Sequence, residues 1–347
     1  MITRRGSTNF GFFLSLSFVL WAIFAIQIDG HAQDAIPKPP ATPPPVPRET
    51  EEIIHVDSDL VMVPVTVLDR DGRYITNLTK DDFQVLDEGI AQEVAFFEAI
   101  ETPVTVFLLL DTSASMSEHM LELANAANKF LNNLRPNDYI IAAQFCGTYK
   151  IVQDLALVND IRGKKSLVLK NCGWTRLYDA VYFTFKKLNK IRGRKAVVLF
   201  SDGADAGINI TYPAEFVTEK DNYKTAKESD SLVYTIKFDT SSQTECPCKR
   251  NDRRCRECKK DIVTANRYMK TLPELTGGRH LKIAQVADLA EAFTEIANEL
   301  RQQYSLGYYP KNKGKAGERR EIKVRVNRPG LAVRARDSYV VGKRKSK

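Results

Sequence analysis

Five oxygen-bearing side chains in three short stretches could share one small cation. The first stretch, VFLLLDTSASMSE, runs from Val106 to Glu118 and carries Asp111, Ser113 and Ser115 at two-residue spacing. GWTRLYDA supplies Thr175, and VVLFSDG supplies Asp202. In an extended or turning segment, two-residue steps can aim Asp111, Ser113 and Ser115 into one crevice. Magnesium takes six oxygens in a near-octahedron and keeps several waters. Three of the five groups are neutral hydroxyls, so an ion held by them stays electrophilic and takes up an external carboxylate. That is chemistry for gripping an acidic group of a partner. Each residue also has a plainer role. Ser113, Ser115 or Thr175 can cap a helix, and Asp202-Gly203 can make a turn. Asp111 and Asp202 each end an apolar run, and their order with Thr175 between them favours the shared cation.

Hydrolysis needs other parts. A serine nucleophile wants a histidine or lysine base. The four histidines are His31, His55, His119 and His280, and only His119 follows the serines closely. No glycine-rich phosphate loop is present. The residues therefore read as a binding site and not an enzyme, with a serine hydrolase as the weak alternative.

Such a site must be positioned by strands and helices. VTVFLLL is short, continuous and apolar, the mark of a central parallel strand covered on both faces. YIIAAQF, KAVVLFSDG, SLVYTIKF and GGRHLKIA read as further strands, and KIVQDL as an antiparallel edge partner of YIIAAQF. Helical stripes recur over residues 118–134, in DAVYFTFKKLN and from Val286 to Gln302. This alternation predicts an α/β fold, a doubly wound, mostly parallel central sheet with helices on both faces. Ligands in such sheets bind beyond the carboxyl ends of the central strands, where Asp111 and Asp202 fall. LVMVPVTVLD alternates Val61, Val63, Val65 and Val67 like a half-buried strand, and FQVLDEG and QEVAFFE follow as two more. Asp69 and Asp71 between them read as a turn, with calcium binding the minor alternative. YSLGYYP, EIKVRVNR and LAVRARDSYVV close the chain as antiparallel strands with one solvated face. The two β flanks are expected to pair into one small sandwich-like unit.

The ordered set Asp111-x-Ser113-x-Ser115, Thr175 and Asp202 resembles the metal-ion-dependent adhesion site of von Willebrand factor type A domains. FLLLDTSASM, TRLYDAV, VVLFSDGAD and LTGGRHL stand where that family has such segments, and the match covers roughly Thr102 to Tyr304. The flanks resemble exported bacterial proteins of the family, those of acidobacteria among them. The resemblance implies a parallel body with one antiparallel edge and divalent-metal-dependent ligand binding, with Mg2+ or else Mn2+ or Ca2+. It implies that Ser113, Ser115 and Thr175 touch the metal, while Asp111 and Asp202 act mainly through waters. The implied partner is a protein ligand that presents a carboxylate. An envelope scaffold with a purely structural metal site is the alternative.

Composition sets the surroundings. The chain has 347 residues, 43% of them hydrophobic, enough for a large core. Arg4 and Arg5 precede an apolar run from Phe10 to Ile28, and Gly30-His31-Ala32 offers a cleavage site. Residues 1–32 read as a signal peptide, with an uncleaved membrane anchor as the rival. The expected location is periplasmic or extracellular. Residues 33–52 are a proline-rich linker, 53–101 an N-terminal β segment, 102–304 the site-bearing domain with a Cys-rich insertion at 244–260, and 305–347 a β segment with a basic tail. The net charge of +8 comes without a nucleic-acid motif, so it reads as solvated faces. Membrane contact is expected only through an uncleaved leader or the tail. Six cysteines in an exported chain favour disulfides. Cys146 and Cys172 could pair and fix the loop carrying Thr175. Cys246, Cys248, Cys255 and Cys258 could form local bridges or hold Zn2+.

Overall fold

In β5 (Val104–Asp111) all eight residues are buried, because strands pack against both of its edges and helices against both of its faces. This strand is the spine of the computed structural model, which describes residues 60–98, 102–164, 166–205, 217–239 and 253–341. The leader, the proline-rich linker, Cys246, Cys248 and the end of the basic tail lie outside the described residues, as do the side chains of Cys255 and Cys258.

Four strands precede β5: β1 (Val61–Leu68), β2 (Phe83–Asp87), β3 (Ile90–Gln92) and β4 (Val94–Glu98). After it come α1 (Met120–Asn133), β6 (Tyr139–Phe145), β7 (Tyr149–Leu157), the single turn α2 (Val158–Ile161), α3 (Leu177–Leu188) and β8 (Arg194–Ser201). Next are α4 (Glu219–Glu228), β9 (Leu232–Phe238), α5 (Arg253–Thr276), β10 (His280–Ile283) and α6 (Leu289–Leu300). The chain closes with β11 (Tyr304–Tyr308), β12 (Arg319–Val326), β13 (Ala332–Ala335) and β14 (Ser338–Val340). Among the described residues, no helix is long and apolar enough to cross a membrane.

The central sheet has the order β10-β9-β8-β5-β6-β7. All its neighbours run parallel except β7, which turns back antiparallel on β6. Helices α1 and α6 cover one face through Leu123, Phe130, Phe293 and Ile296. Helices α3, α4 and α5 cover the other through Leu177, Phe185, Ala226, Tyr268 and Met269. Each such side chain, fully buried, contributes about 1.5–3 kcal/mol of transfer free energy, so these stripes decide which helix face meets the sheet.

The flanks pair as expected. One antiparallel sheet runs β13-β1-β11-β4 and the other β14-β12-β2-β3, so strands from both ends of the chain alternate within a unit. Val63, Val65 and Val67 of β1 share a core with Phe83 and Val85 of β2, Leu306 of β11 and Ile322 of β12. The stretch QEVAFFE is not one strand. It divides at Glu93, with β3 pairing to β2 and β4 crossing to β11 in the other sheet. Arg319, Glu321, Lys323 and Arg325 of β12 face solvent, the plain reading of that basic alternation. The Asp69/Asp71 pair forms a turn. Asp69 Oδ1 accepts from the backbone N–H of Asp71 and of Arg73, both at 2.9 Å, and the Arg73 side chain bridges the two carboxylates.

The body joins the sandwich around Glu299 of α6, which is wholly buried. Tyr234 of β9 donates its hydroxyl to Glu299 Oε1 at 2.8 Å, and Arg334 of β13 pairs with the same oxygen. Tyr74 donates to Oε2 at 3.2 Å. Arg279 Nε lies 3.5 Å from Oε2, so the buried carboxylate is met by two guanidinium groups and two hydroxyls that offset its desolvation.

Candidate metal-binding site at the sheet's carboxyl end

The site begins where β5 ends. Asp111 is fully buried and is held by two donors. The Ser113 backbone N–H reaches its Oδ1 at 2.9 Å, and the Ser201 hydroxyl reaches its Oδ2 at 2.6 Å. Asp202 follows directly after Ser201, at the end of the neighbouring strand β8, and its Oδ1 accepts from Ala204 N–H at 3.0 Å. Burial first, then the negative charge of Asp202, pushes the Asp111 carboxyl up to about 7, against the hydrogen bonds from Ser113 and Ser201. Two carboxylates share a dry pocket and repel each other.

The serines do not cap the helical segment after β5. Ser113 occupies the cap position of the 3₁₀ turn Ala114–His119, but its side chain makes no capping bond. Its hydroxyl lies 3.1 Å from that of Ser115. Thr175 is not a cap either. The cap of α3 is Arg176, whose side chain pairs with Asp179 at 2.5 Å. The free N–H of Tyr178 in the first turn is taken at 2.8 Å by Asp205 Oδ2, from the loop beyond Asp202. The hydroxyls of Ser113, Ser115 and Thr175 are thus left without a backbone duty among the described residues.

Three loops are locked together. Ala114 N–H donates to Gly173 O at 2.8 Å, Asn171 Nδ2 to Ser113 O at 2.6 Å, and Cys172 N–H to Thr112 O at 3.3 Å. Arg176 N–H donates to Cys146 O at 2.9 Å. The side chain of Gln144 on β6 clamps the backbone of Lys170, donating at 2.8 Å and accepting at 3.0 Å. Cys146 and Cys172 are joined by a disulfide with a Cα–Cα distance of 5.8 Å. Thr175 is buried on this loop, which is bonded to the loop carrying Ser113, while Asp205 ties it to the loop carrying Asp202. Gly203 has φ +83°, and a Cβ there would lie 2.8 Å from Met269 Cγ of α5, so only glycine lets the Asp202 loop pass under that helix.

Asp111, Ser113, Ser115 and Asp202 therefore lie at or just beyond the carboxyl ends of β5 and β8, and Thr175 lies buried on a loop bonded to the Ser113 loop. Motif spacing does not single out Ser201, Asp205, Asn171 and Gln144, which orient them. The one signal for the first two is the polar density of SDGAD. Spacing also misses Lys237, which pairs in register with Ser201 on β9 and is buried. Burial lowers the Lys237 pKa, while the charges of Asp239 and Asp202 pull it back. Its neighbour Lys282 is paired to Asp239 at 2.5 Å. Of the clustered cysteines, Cys255 and Cys258 stand on the helical backbone of α5, whose first residues fall within the Cys-rich stretch 244–260.

The donor set suits a hard divalent ion. Asp111 and Asp202 lack a cation in hydrogen-bond contact among the described residues, and the hydroxyls of Ser113 and Ser115 and that of Thr175 on the adjoining loop are further oxygen donors. A cation would relieve the repulsion between the two carboxylates.

No protein-family model and no curated protein matches the sequence. Solved structures with a similar fold include a von Willebrand factor type A protein from Catenulispora acidiphila, 11% identical, covering 83% of this chain and 74% of that one, with a TM-score of 0.41. The ArnB paralog VWA2 from Sulfolobus acidocaldarius is 11% identical over 82% of this chain and 75% of its own, with a TM-score of 0.38. The PilB minor pilin from Streptococcus sanguinis is 13% identical over 59% of this chain, with a TM-score of 0.43, and the match spans only 63% of the pilin. These likenesses concern fold alone. The mostly parallel sheet with one antiparallel edge is the architecture that the von Willebrand factor type A resemblance implies.

Proposed function

We propose that this protein is an exported binding module that grips an acidic group of a protein partner through a divalent metal ion. The observation that carries the reading is the pair Asp111 and Asp202. They are buried side by side, held by hydroxyl and amide dipoles, with the paired hydroxyls of Ser113 and Ser115 next to them. Ser113, Ser115 and Thr175 would hold the ion, and Asp111 and Asp202 would anchor its waters. Bound there, the ion supplies an open position for a carboxylate. The chain's own work is to orient the hydroxyls and keep the pocket dry.

Binding without catalysis is the reading that the histidines support. His119 turns to Glu122 at 3.0 Å and packs edge-on against Phe238, and His280 bonds Thr235 at 2.9 Å. Neither serine bonds a histidine or lysine among the described residues. The Cys146–Cys172 disulfide supports an oxidising compartment, in line with the leader-like N-terminus.

The test is binding of magnesium and of partner proteins from envelope extract, with and without EDTA, to the wild type and to Asp111→Ala. The reading expects both to be lost in a variant that stays folded. Partner binding that persists unchanged through EDTA and the substitution would remove it.

A further inference from the structure

Trp174 stands next to Thr175 and is 68% exposed, the largest exposed apolar side chain among the described residues. Tryptophan is among the residue types that carry most of the binding energy at protein interfaces. Trp174 is rigidly presented. The disulfide at Cys172 and the bonds from Ala114 N–H to Gly173 O and from Arg176 N–H to Cys146 O hold the backbone on both sides of it. Gly147 crosses beneath, where a Cβ would lie 3.9 Å from both Cys172 O and Trp174 O. Nothing in the fold asks for a tryptophan here.

Exposed lysines stand on the segments that hold the Trp174 loop. Lys150 pairs in register with Gln144 at the sheet's edge, and Gln144 clamps Lys170, so both lysines flank the same residue. Both are exposed, as is Arg176. Val168, 68% exposed on the same loop, adds a second apolar contact. The acidic residue nearby, Asp179, is taken by Arg176. Exposed apolar side chains on a loop held beside two exposed lysines, next to the candidate metal ligand Thr175, fit one chemistry.

We propose that the loop Val168–Arg176 is the second half of the recognition surface, and that the partner is an acidic protein segment with an aliphatic or aromatic side chain beside its metal-bound carboxylate. That side chain packs on Trp174, and neighbouring acids meet Lys150 and Lys170. The proposal rests on the metal-binding reading above and deepens it.

The experiment uses a phage-displayed library of random peptides, selected on the magnesium-loaded protein. Synthetic copies of the enriched peptides are then titrated against the wild type, Trp174→Ala, Trp174→Phe and the pair Lys150→Glu with Lys170→Glu. Enriched peptides are expected to carry Asp or Glu next to an apolar residue and to be net acidic. Trp174→Ala should weaken them about tenfold, Trp174→Phe much less, and the charge reversals by a similar factor at low salt. Because Trp174 is exposed, its variants should melt as the wild type does. The proposal is overturned if no peptide is enriched, if the enriched ones lack the apolar neighbour, or if Trp174→Ala binds them as the wild type does. EDTA separates the two ideas. Peptide binding that needs Trp174 but ignores EDTA keeps this surface and removes the metal. Binding that needs the metal but ignores Trp174 does the reverse.

Discussion

Asp87 in the sandwich and Asp111 at the sheet's end are both wholly buried, yet they meet opposite surroundings. Asp87 Oδ1 accepts from Arg320 Nε at 2.9 Å and lies 2.8 Å from Arg320 Nη2, while its Oδ2 accepts from the hydroxyls of Tyr308 at 3.1 Å and Tyr339 at 2.9 Å. Its charge is cancelled on the spot, and it ties strands β2, β11, β12 and β14 from both flanks of the chain. Asp111 receives one amide and one hydroxyl, and the group it faces is a second carboxylate. Burial by itself says little about what an acid does. What separates the two is compensating charge: a guanidinium meets Asp87, while Asp111 is met by neutral donors alone among the described residues.

Four substitutions or additions break or sharpen this contrast. Asp87→Ala should cost the most, about 3–5 kcal/mol, since it strands the buried Arg320 guanidinium. Urea unfolding checks this, and the response to magnesium should be unaltered. Replacing Cys146 and Cys172 together by Ser should cost about 3 kcal/mol by freeing the loop they close. It should also weaken magnesium binding, because the Thr175 loop is released. Magnesium at about a hundredfold excess over its Kd should stabilise the wild type by about 2.7 kcal/mol. Calorimetry of Asp111→Asn should show none of that gain. The smallest effect is the most discriminating. Asp202→Asn in metal-free protein should raise stability by about 1 kcal/mol, by removing one of two like charges. If it lowers stability as Asp87→Ala does, then Asp202 is a structural acid and the contrast fails.

Much of this arrangement is legible in the order of residues. The continuous apolar runs mark β5, β8 and β9, because a parallel strand buried on both faces leaves no room for alternation. The valines of β1 mark its half-buried face. The stripes of α1, α3 and α6 are strong because each meets the sheet along its length. Helix α4 is not readable, since its buried residues are only Asn222 and Ala226. Helix α5 is hidden by the cysteines and charges of its first turns and by Pro273 near its end, although Ala265, Tyr268, Met269 and Leu272 form its inner face. The break at Glu93 is set by pairing to β11, a partner far along the chain that no local pattern announces. At the site, the five oxygen donors are readable because they follow strand ends in order. Ser201 and Asp205 are not, because a lone serine or a second aspartate in a polar loop carries no spacing signal. Nor can spacing reveal that the N–H of Tyr178 takes its acceptor from Asp205 and not from Thr175.

The alternation of strands within the sandwich has a mechanical consequence. The α/β body leaves the sandwich after β4 and returns at β11, so it hangs as a side branch between two strands that pair with each other. Tension applied at Leu60 and Val341 would enter through β1 and β14, one in each sheet. To pull those strands apart, the load would have to break the β12–β14 and β1–β13 ladders and the bond from Tyr339 to Asp87. The sandwich, with strands from both ends of the chain, would therefore take such a load before the α/β body does.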